Sequence, residues 1–178
     1  MRARQALVAS ALMVLAAACT SGEAGQPVPG EVGAAPSASG SAPVDLVDLD
    51  PCALVTPSIR SRLGVRGEAD EGGTASARSC QWTVERGSAR DSYVLGVAVF
   101  PTLGLDEVSA SGGVADVEIG GRRALRSLRL NGTVCAISLE LTATSRVDVQ
   151  ANSATQRDGA LLCPRAEEAA GLIEAELP

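Results

Sequence analysis

The sequence predicts an α+β domain in which an antiparallel β-sheet carries short helices at its N-terminal end and a longer C-terminal helix packed on it. Three observations point there. Alternating or continuous apolar stretches follow one another from Cys80 to Ala151, separated by turn dipeptides. A helical stripe of apolar residues closes the chain. Four cysteines beyond residue 50 are enough for two disulfides. The domain is expected over residues 45–178, with two other segments before it.

The first of these, residues 1–18, reads as a signal peptide. Arg2 and Arg4 give a basic start, Ala6 to Leu15 an apolar run, and Ala16-Ala17-Ala18 fit the narrow subsites of a signal peptidase. The run falls short of the ~20 residues that a membrane span needs. Leu15-Ala16-Ala17-Ala18-Cys19 resembles a bacterial lipobox, which implies that the Cys19 thiol is alkylated with diacylglycerol before cleavage. Leu15 stands four residues before Cys19, whereas a lipobox usually has its aliphatic residue three before; the alternative is an ordinary secretory signal cut after Ala18. Two acyl chains matter because one chain binds a membrane only marginally, and each buried methylene adds ~0.8 kcal/mol.

Residues 19–44 are the lipidated cysteine and a tether dominated by Gly, Ala, Ser and Pro, which cannot bury enough apolar surface to order itself. As a flexible chain it spans on the order of 25 to 30 Å. Without residues 1–18 the chain keeps 13 arginines against 21 acids, and it contains no lysine and no histidine. That acidity argues against nucleic acid and against an electrostatic grip on anionic lipid.

Five cysteines are an odd number. With Cys19 acylated, Cys52, Cys80, Cys135 and Cys163 remain, and four cysteines allow three connectivities. The consecutive pairing, Cys52 with Cys80 and Cys135 with Cys163, closes two loops of equal span and is the one favoured. Each bond contributes roughly 3.5 kcal/mol in the chain-entropy account. A tetrahedral metal site is the alternative use of four thiolates, but no CxxC pair is present and the expected compartment is oxidising, so no metal is expected.

The domain opens with Asp45, Asp48 and Asp50. Their spacing lacks the Gly and distal Glu of a calcium loop, and Asp50 is better read as the cap of a short helix starting at Pro51. Thr56-Pro57 repeats the signal, so Ser58 to Leu63 reads as a second helix ended by Gly64. Residues 66–78 are rich in Gly, Ala and acids and read as a surface loop. Cys80, Trp82 and Val84 alternate with polar residues as in a half-buried strand, and Ser92 to Phe100 suits a central strand ended by Pro101. Trp82, Tyr93 and Phe100 are the only aromatics, so the core rests on Val, Leu, Ala and Ile.

Leu103 to Ser111 is expected as a short helix across the sheet. Val114, Val117 and Ile119 lead into the Gly120-Gly121 turn, followed by a strand from Arg122 to Leu130. Asn131-Gly132 predicts a type I′ turn, since both central residues of such a turn need positive φ; the same residues spell a glycosylation sequon, and the turn is the preferred reading. Val134 to Leu141 and Val147 to Ala151 complete the strands. From about Leu161 to Leu177, Leu162, Ala166, Ala169, Ala170, Ile173 and Leu177 form the stripe of the closing helix.

The order of these pieces resembles a family of lipoproteins from high-GC Gram-positive bacteria, catalogued as domain of unknown function family 3558. The resemblance runs from Asp50 to Pro178. It is carried by Asp50-Pro51-Cys52-Ala53-Leu54-Val55-Thr56-Pro57, Cys80-Gln81-Trp82, Gly120-Gly121-Arg122-Arg123-Ala124, Cys135 within a strand, and Cys163 opening a helix that ends at Leu177-Pro178. It implies an extracytoplasmic lipoprotein with two disulfides and supplies no catalytic residues.

The residues themselves exclude much chemistry. Without histidine there is no Ser-His-Asp triad and no histidine metal site; without lysine there is no Ser-Lys dyad; with the cysteines oxidised or acylated no thiol nucleophile remains. Carboxylate pairs are left, and nothing selects one. Arg122 and Arg126 share one face of a strand and Arg123 and Arg129 the other. They are expected to be a solvated sheet edge that charge guards against self-pairing, not a ligand patch. The expectation is a non-enzymatic binding or interaction module, lipid-anchored to the outer face of the cytoplasmic membrane, with an unidentified protein or small-molecule partner and no cofactor. The alternative is a carrier of a small apolar or lipidic ligand held between the sheet and the terminal helix, and the third reading is a carboxylate-dependent hydrolase.

Overall fold

The computed structural model describes residues 46–178. The signal peptide, Cys19, the tether and Asp45 lie outside the described residues. The domain is a seven-stranded antiparallel sheet with helices on one face, as the sequence predicts. Its strands are β1 (Val65–Thr74), β2 (Ala77–Arg86), β3 (Ser88–Phe100), β4 (Val114–Ile119), β5 (Arg122–Arg129), β6 (Val134–Thr142) and β7 (Ser145–Asn152). Their order across the sheet is β1-β2-β3-β7-β6-β5-β4. Two meanders, 65–100 and 114–152, therefore meet along the β3–β7 seam, where Val97 lies opposite Val149.

Helix α1 (Pro57–Leu63) follows from its local sequence. Thr56 Oγ1 accepts the Ile59 N–H at 3.4 Å, Pro57 occupies the first turn, and Gly64 ends the helix at φ 77°, its N–H donating to the Arg60 carbonyl at 3.0 Å. Helix α2 (Cys163–Glu174) comes after a 3-10 turn over Gly159–Leu162. Ala166, Ala169, Ala170 and Ile173 of its stripe are fully buried in one cluster with Ile137, Leu139, Val147 and Val149. Four small or medium residues at helical spacing let α2 lie close to the sheet, and their burial is the main apolar contribution of the helix.

Both disulfides join the expected partners. Cys52 bonds to Cys80, tying the segment before α1 to β2, and Cys135 bonds to Cys163, tying β6 to the start of α2.

Four local expectations are corrected. Residues 66–78 are not a loop, because β1 and the beginning of β2 occupy them. As the outermost strand, β1 is paired on one side only and exposed along nearly its whole length, so no apolar alternation marks it. Its Gly and acid content is that of a guarded edge. The chain after Asp50 makes a turn, not a helix: Asp50 Oδ1 accepts the Cys52 N–H at 2.8 Å and its carbonyl accepts from Ala53 at 3.2 Å.

The predicted helix over Leu103 to Ser111 shrinks to a single 3-10 turn, Leu105–Glu107. From β3 to β4 the chain must pass four strand spacings of about 4.8 Å, and mostly extended backbone covers that distance. Finally, β5 is not an edge. It pairs with β4 on one side and β6 on the other.

Candidate functional site

The β5 arginines divide between the two faces as their spacing predicts, and each is paired. On the α2 side, Arg122 Nε donates to Glu174 Oε1 at 3.3 Å and Arg126 Nη1 to Glu167 Oε1 at 3.1 Å. Glu167 and Glu174 lie two turns apart on one face of α2, so the two arginines hold the helix along its length. Arg122 also donates to the carbonyls of Glu140 and Pro178, both at 3.0 Å, fixing the C-terminus. The expectation of an edge guarded by free charge gives way to internal ion pairing.

The other face carries no helix among the described residues. Along β2, β3 and β7 it presents Ser79, Gln81, Thr83, Val94, Gly96, Ala98, Gln150 and Asn152, which share a face by strand register. A depression of about 560 Å³ lies over Gln81, Gly96, Ala98 and Gln150. Gly96 is notable because nothing local demands it. Its φ is not left-handed, and an added Cβ would meet only Gln150 and Gln81 side-chain atoms at 3.8 Å, an ordinary contact. Glycine within a strand costs roughly 0.5–1 kcal/mol relative to alanine, and such a residue commonly marks close approach by another molecule.

Toward the end of this face formed by Phe100 and Arg146, the β3–β4 connection (residues 101–113) lies as a strap over a buried charge cluster. Arg129 reaches across β6 to donate from Nη1 to Asp148 Oδ2 at 2.8 Å and from Nη2 to Ser138 Oγ at 3.0 Å. Arg146 Nε donates to Asp148 Oδ1 at 3.1 Å. Arg146 Nη1 donates to the Leu103 and Gly104 carbonyls of the strap at 3.0 and 2.8 Å. The Arg146 guanidinium also lies 4.0 Å above the Phe100 ring centroid. Asp148 is 0% exposed and Arg146 4%. A second depression of about 560 Å³ opens between strap and sheet, walled by Phe100, Leu103, Glu107, Arg129, Leu130 and Arg146 among others.

Leu130 is the unexpected member. The turn after β5 contains the predicted Asn131 and Gly132 at φ 56° and 83°, but Leu130 before them is also left-handed, at φ 49°. A left-handed non-glycine residue costs roughly 1–2 kcal/mol, and this one leaves its side chain 72% exposed.

Under the helices a third polar group forms around Tyr93. Arg86 Nη2 donates to Glu168 Oε2 at 2.7 Å, whereas Arg86 Nε, Tyr93 Oη and Trp82 Nε1 are buried without a hydrogen-bond partner. Burial raises the Tyr93 pKa, and the neighbouring Arg86 guanidinium offsets only part of this. Burial alone would lower the Arg86 pKa, but the Glu168 carboxylate and Tyr93 together outweigh it and the value rises. A depression of about 580 Å³ lies beside the group, with Tyr93 on its wall among Thr83, Ser92 and Ser153, while Glu168 ties the group to α2.

Of the residues singled out in the sequence, the four domain cysteines are brought together in two pairs, and Cys19 falls outside the described residues. Asp50, Cys52 and Cys80 offer a carboxylate oxygen and two sulfurs within 4.8 Å of one another. The sulfurs are bonded to each other and Asp50 accepts the Cys52 N–H, so this group is a cross-linked turn. Asp148 and Arg146 carried no signal in the sequence, because Arg146-Val147-Asp148 alternates like any half-solvated strand.

No curated protein and no solved structure matches the chain. The family described as protein of unknown function (DUF3558) matches residues 14–176. That match covers the last residues of the expected signal peptide, Cys19 and nearly all of the folded domain, and the chain belongs to this family.

Proposed function

We propose that the protein is an extracytoplasmic lipoprotein, anchored through Cys19 to the outer face of the cytoplasmic membrane, that works as a non-enzymatic binding module through the helix-free face of its sheet. The observation that carries the binding role is the face itself. Over β2, β3 and β7 it offers neutral hydrogen-bonding side chains around Gly96 and Ala98, a surface shaped for contact and lacking groups that move protons. The anchor rests on the Leu15–Cys19 pattern and on the pairing of the other four cysteines, which leaves Cys19 as the odd one.

The absence of histidine and lysine from the sequence supports a non-enzymatic role. So does the state of Asp148, the buried carboxylate of the described residues, whose two oxygens are each held by an arginine. A ligand carried between sheet and α2 would have to displace fully buried side chains; a ligand on the opposite face would not.

Two variants test the reading. Cys19→Ser is expected to move the protein from the membrane fraction to the soluble fraction, and continued attachment would refute the anchor. Gly96→Arg, which fits the backbone, is expected to abolish retention of the binding partner from cell-envelope extracts without lowering the urea midpoint. Retention equal to that of the parent protein would remove the helix-free face from the proposal.

A further inference from the structure

We propose that the depression between the strap and the sheet binds a carboxylate attached to an apolar group, with Arg146 and Arg129 facing the anion and Phe100, Leu103 and Leu130 facing the apolar part. The inference rests on the helix-free face being the working surface, and it adds the ligand's chemistry.

The charge cluster alone could be a device for pinning the strap, since Arg146 Nη1 donates to both the Leu103 and Gly104 carbonyls. Pinning leaves two facts unexplained. The first is charge. Two guanidinium groups share one carboxylate, so the cluster carries a net positive charge in a protein whose overall charge is −6. Each guanidinium has five N–H donors, of which Arg129 uses three and Arg146 three. Nη2 of Arg146 donates to none of the described residues. Both arginines line the depression, where unspent donors favour an anion that accepts from two of them.

The second fact is Leu130. A strained, exposed leucine at the mouth of the same depression contributes nothing to packing, yet it lies on the wall with Phe100 and Leu103. An apolar wall beside a cation selects an amphiphile over a simple ion. The volume, about 560 Å³, lies in the range of small-molecule sites. Glu107 is the opposing charge on the wall. It is exposed and its carboxylate accepts the Gly104 N–H at 2.5 Å, so it weakens the preference for anions without reversing it.

Calorimetric titration of the purified full chain tests this. Octanoate or N-acetyl-leucine is expected to bind at least tenfold more tightly than acetate, and octanoate at least tenfold more tightly than 1-octanol. The tighter of the first two tells whether the carboxylate belongs to a fatty chain or to a peptide end. Arg129→Gln is expected to weaken binding at least tenfold. Because that change removes one of the two cations on Asp148 and costs stability, Leu130→Gly, which relieves the turn, is the second variant: it should weaken octanoate several-fold and leave acetate unchanged. Glu107→Gln should tighten octanoate two- to threefold.

Octanoate binding no tighter than 1-octanol, or unaffected by both Arg129→Gln and Leu130→Gly, overturns the inference. If neither octanoate nor N-acetyl-leucine binds while Gly96→Arg still abolishes partner retention, the inference falls and the binding module stands. If Gly96→Arg also has no effect, both fall.

Discussion

Arg129 of β5 reaches over β6 to hold Asp148 of β7 at 2.8 Å, linking strands that do not pair with each other. With Arg146 on the second carboxylate oxygen, the arrangement leaves no oxygen of Asp148 without a cation. Removing the shared anion strands two buried or half-buried guanidinium groups. Asp148→Ala is therefore expected to lower the unfolding free energy by about 3–5 kcal/mol, whereas Ser138→Ala removes one hydrogen bond to a charged group and costs about 1–3 kcal/mol. Urea denaturation measures both, and a loss below about 1 kcal/mol for Asp148→Ala would show that the cluster is energetically idle.

Tyr93 buries a hydroxyl beside the Arg86 guanidinium without a well-formed hydrogen bond among the described residues, and the side chain is 2% exposed. Tyr93→Phe keeps the ring and removes the unpaired group, so stability should stay level or rise by up to about 1 kcal/mol. The pH dependence has a defined sign. Burial raises the phenol pKa in the folded state, so its contribution is fully present below the unfolded value of about 10 and is lost as pH rises from there through the folded value. Unfolding midpoints recorded from about pH 8 upward should fall for the parent protein and fall less for Tyr93→Phe.

The Cys135–Cys163 bond fastens the first residue of α2 to β6 and closes a loop of sequence separation 28. Replacing both cysteines by serine should cost about 3.5 kcal/mol in the chain-entropy account, with α2 amides losing hydrogen-exchange protection before those of β3. Peptide mapping without reduction should recover Cys52 with Cys80 and Cys135 with Cys163; a Cys52–Cys135 peptide would contradict the fold.

Leu130→Gly should stabilise the domain by about 0.5–1 kcal/mol, the relief of the left-handed leucine less the added freedom of glycine in the unfolded chain. Gly159→Ala should do the opposite. A Cβ there would lie 2.6 Å from the Gly132 carbonyl oxygen and 2.8 Å from the Val134 nitrogen, both backbone atoms that cannot swing away. A loss above about 2 kcal/mol in thermal or urea unfolding is expected for this variant.

The parts of the fold that were legible are those whose cause is local. Val134 to Leu141, the Asn131-Gly132 turn and the Leu162 to Ile173 stripe carry their periodicity or turn chemistry within a few residues, and their elements form where expected. β1 carries no such signal because its order comes from backbone pairing with β2, to which glycine and acidic side chains are indifferent. Leu103 to Ser111 is expected as a short helix, but the distance it must cover is fixed by strands far away in sequence. The candidate site was hidden for the same reason. Arg129, Arg146 and Asp148 meet only once β5, β6 and β7 are side by side, and the left-handed Leu130 beside them has no sequence signature at all.

The domain cysteines are bonded in consecutive pairs, Cys52 with Cys80 and Cys135 with Cys163, and each bond has one end in a different meander, Cys80 in β2 and Cys135 in β6. For a polypeptide that emerges N-terminus first, this sets a timetable. When Cys80 appears, Cys52 is the only domain thiol awaiting it; by the time Cys135 and Cys163 follow, the earlier pair can already be sealed. Pairing in order of arrival therefore yields the native cross-links, Cys52 with Cys80 and then Cys135 with Cys163.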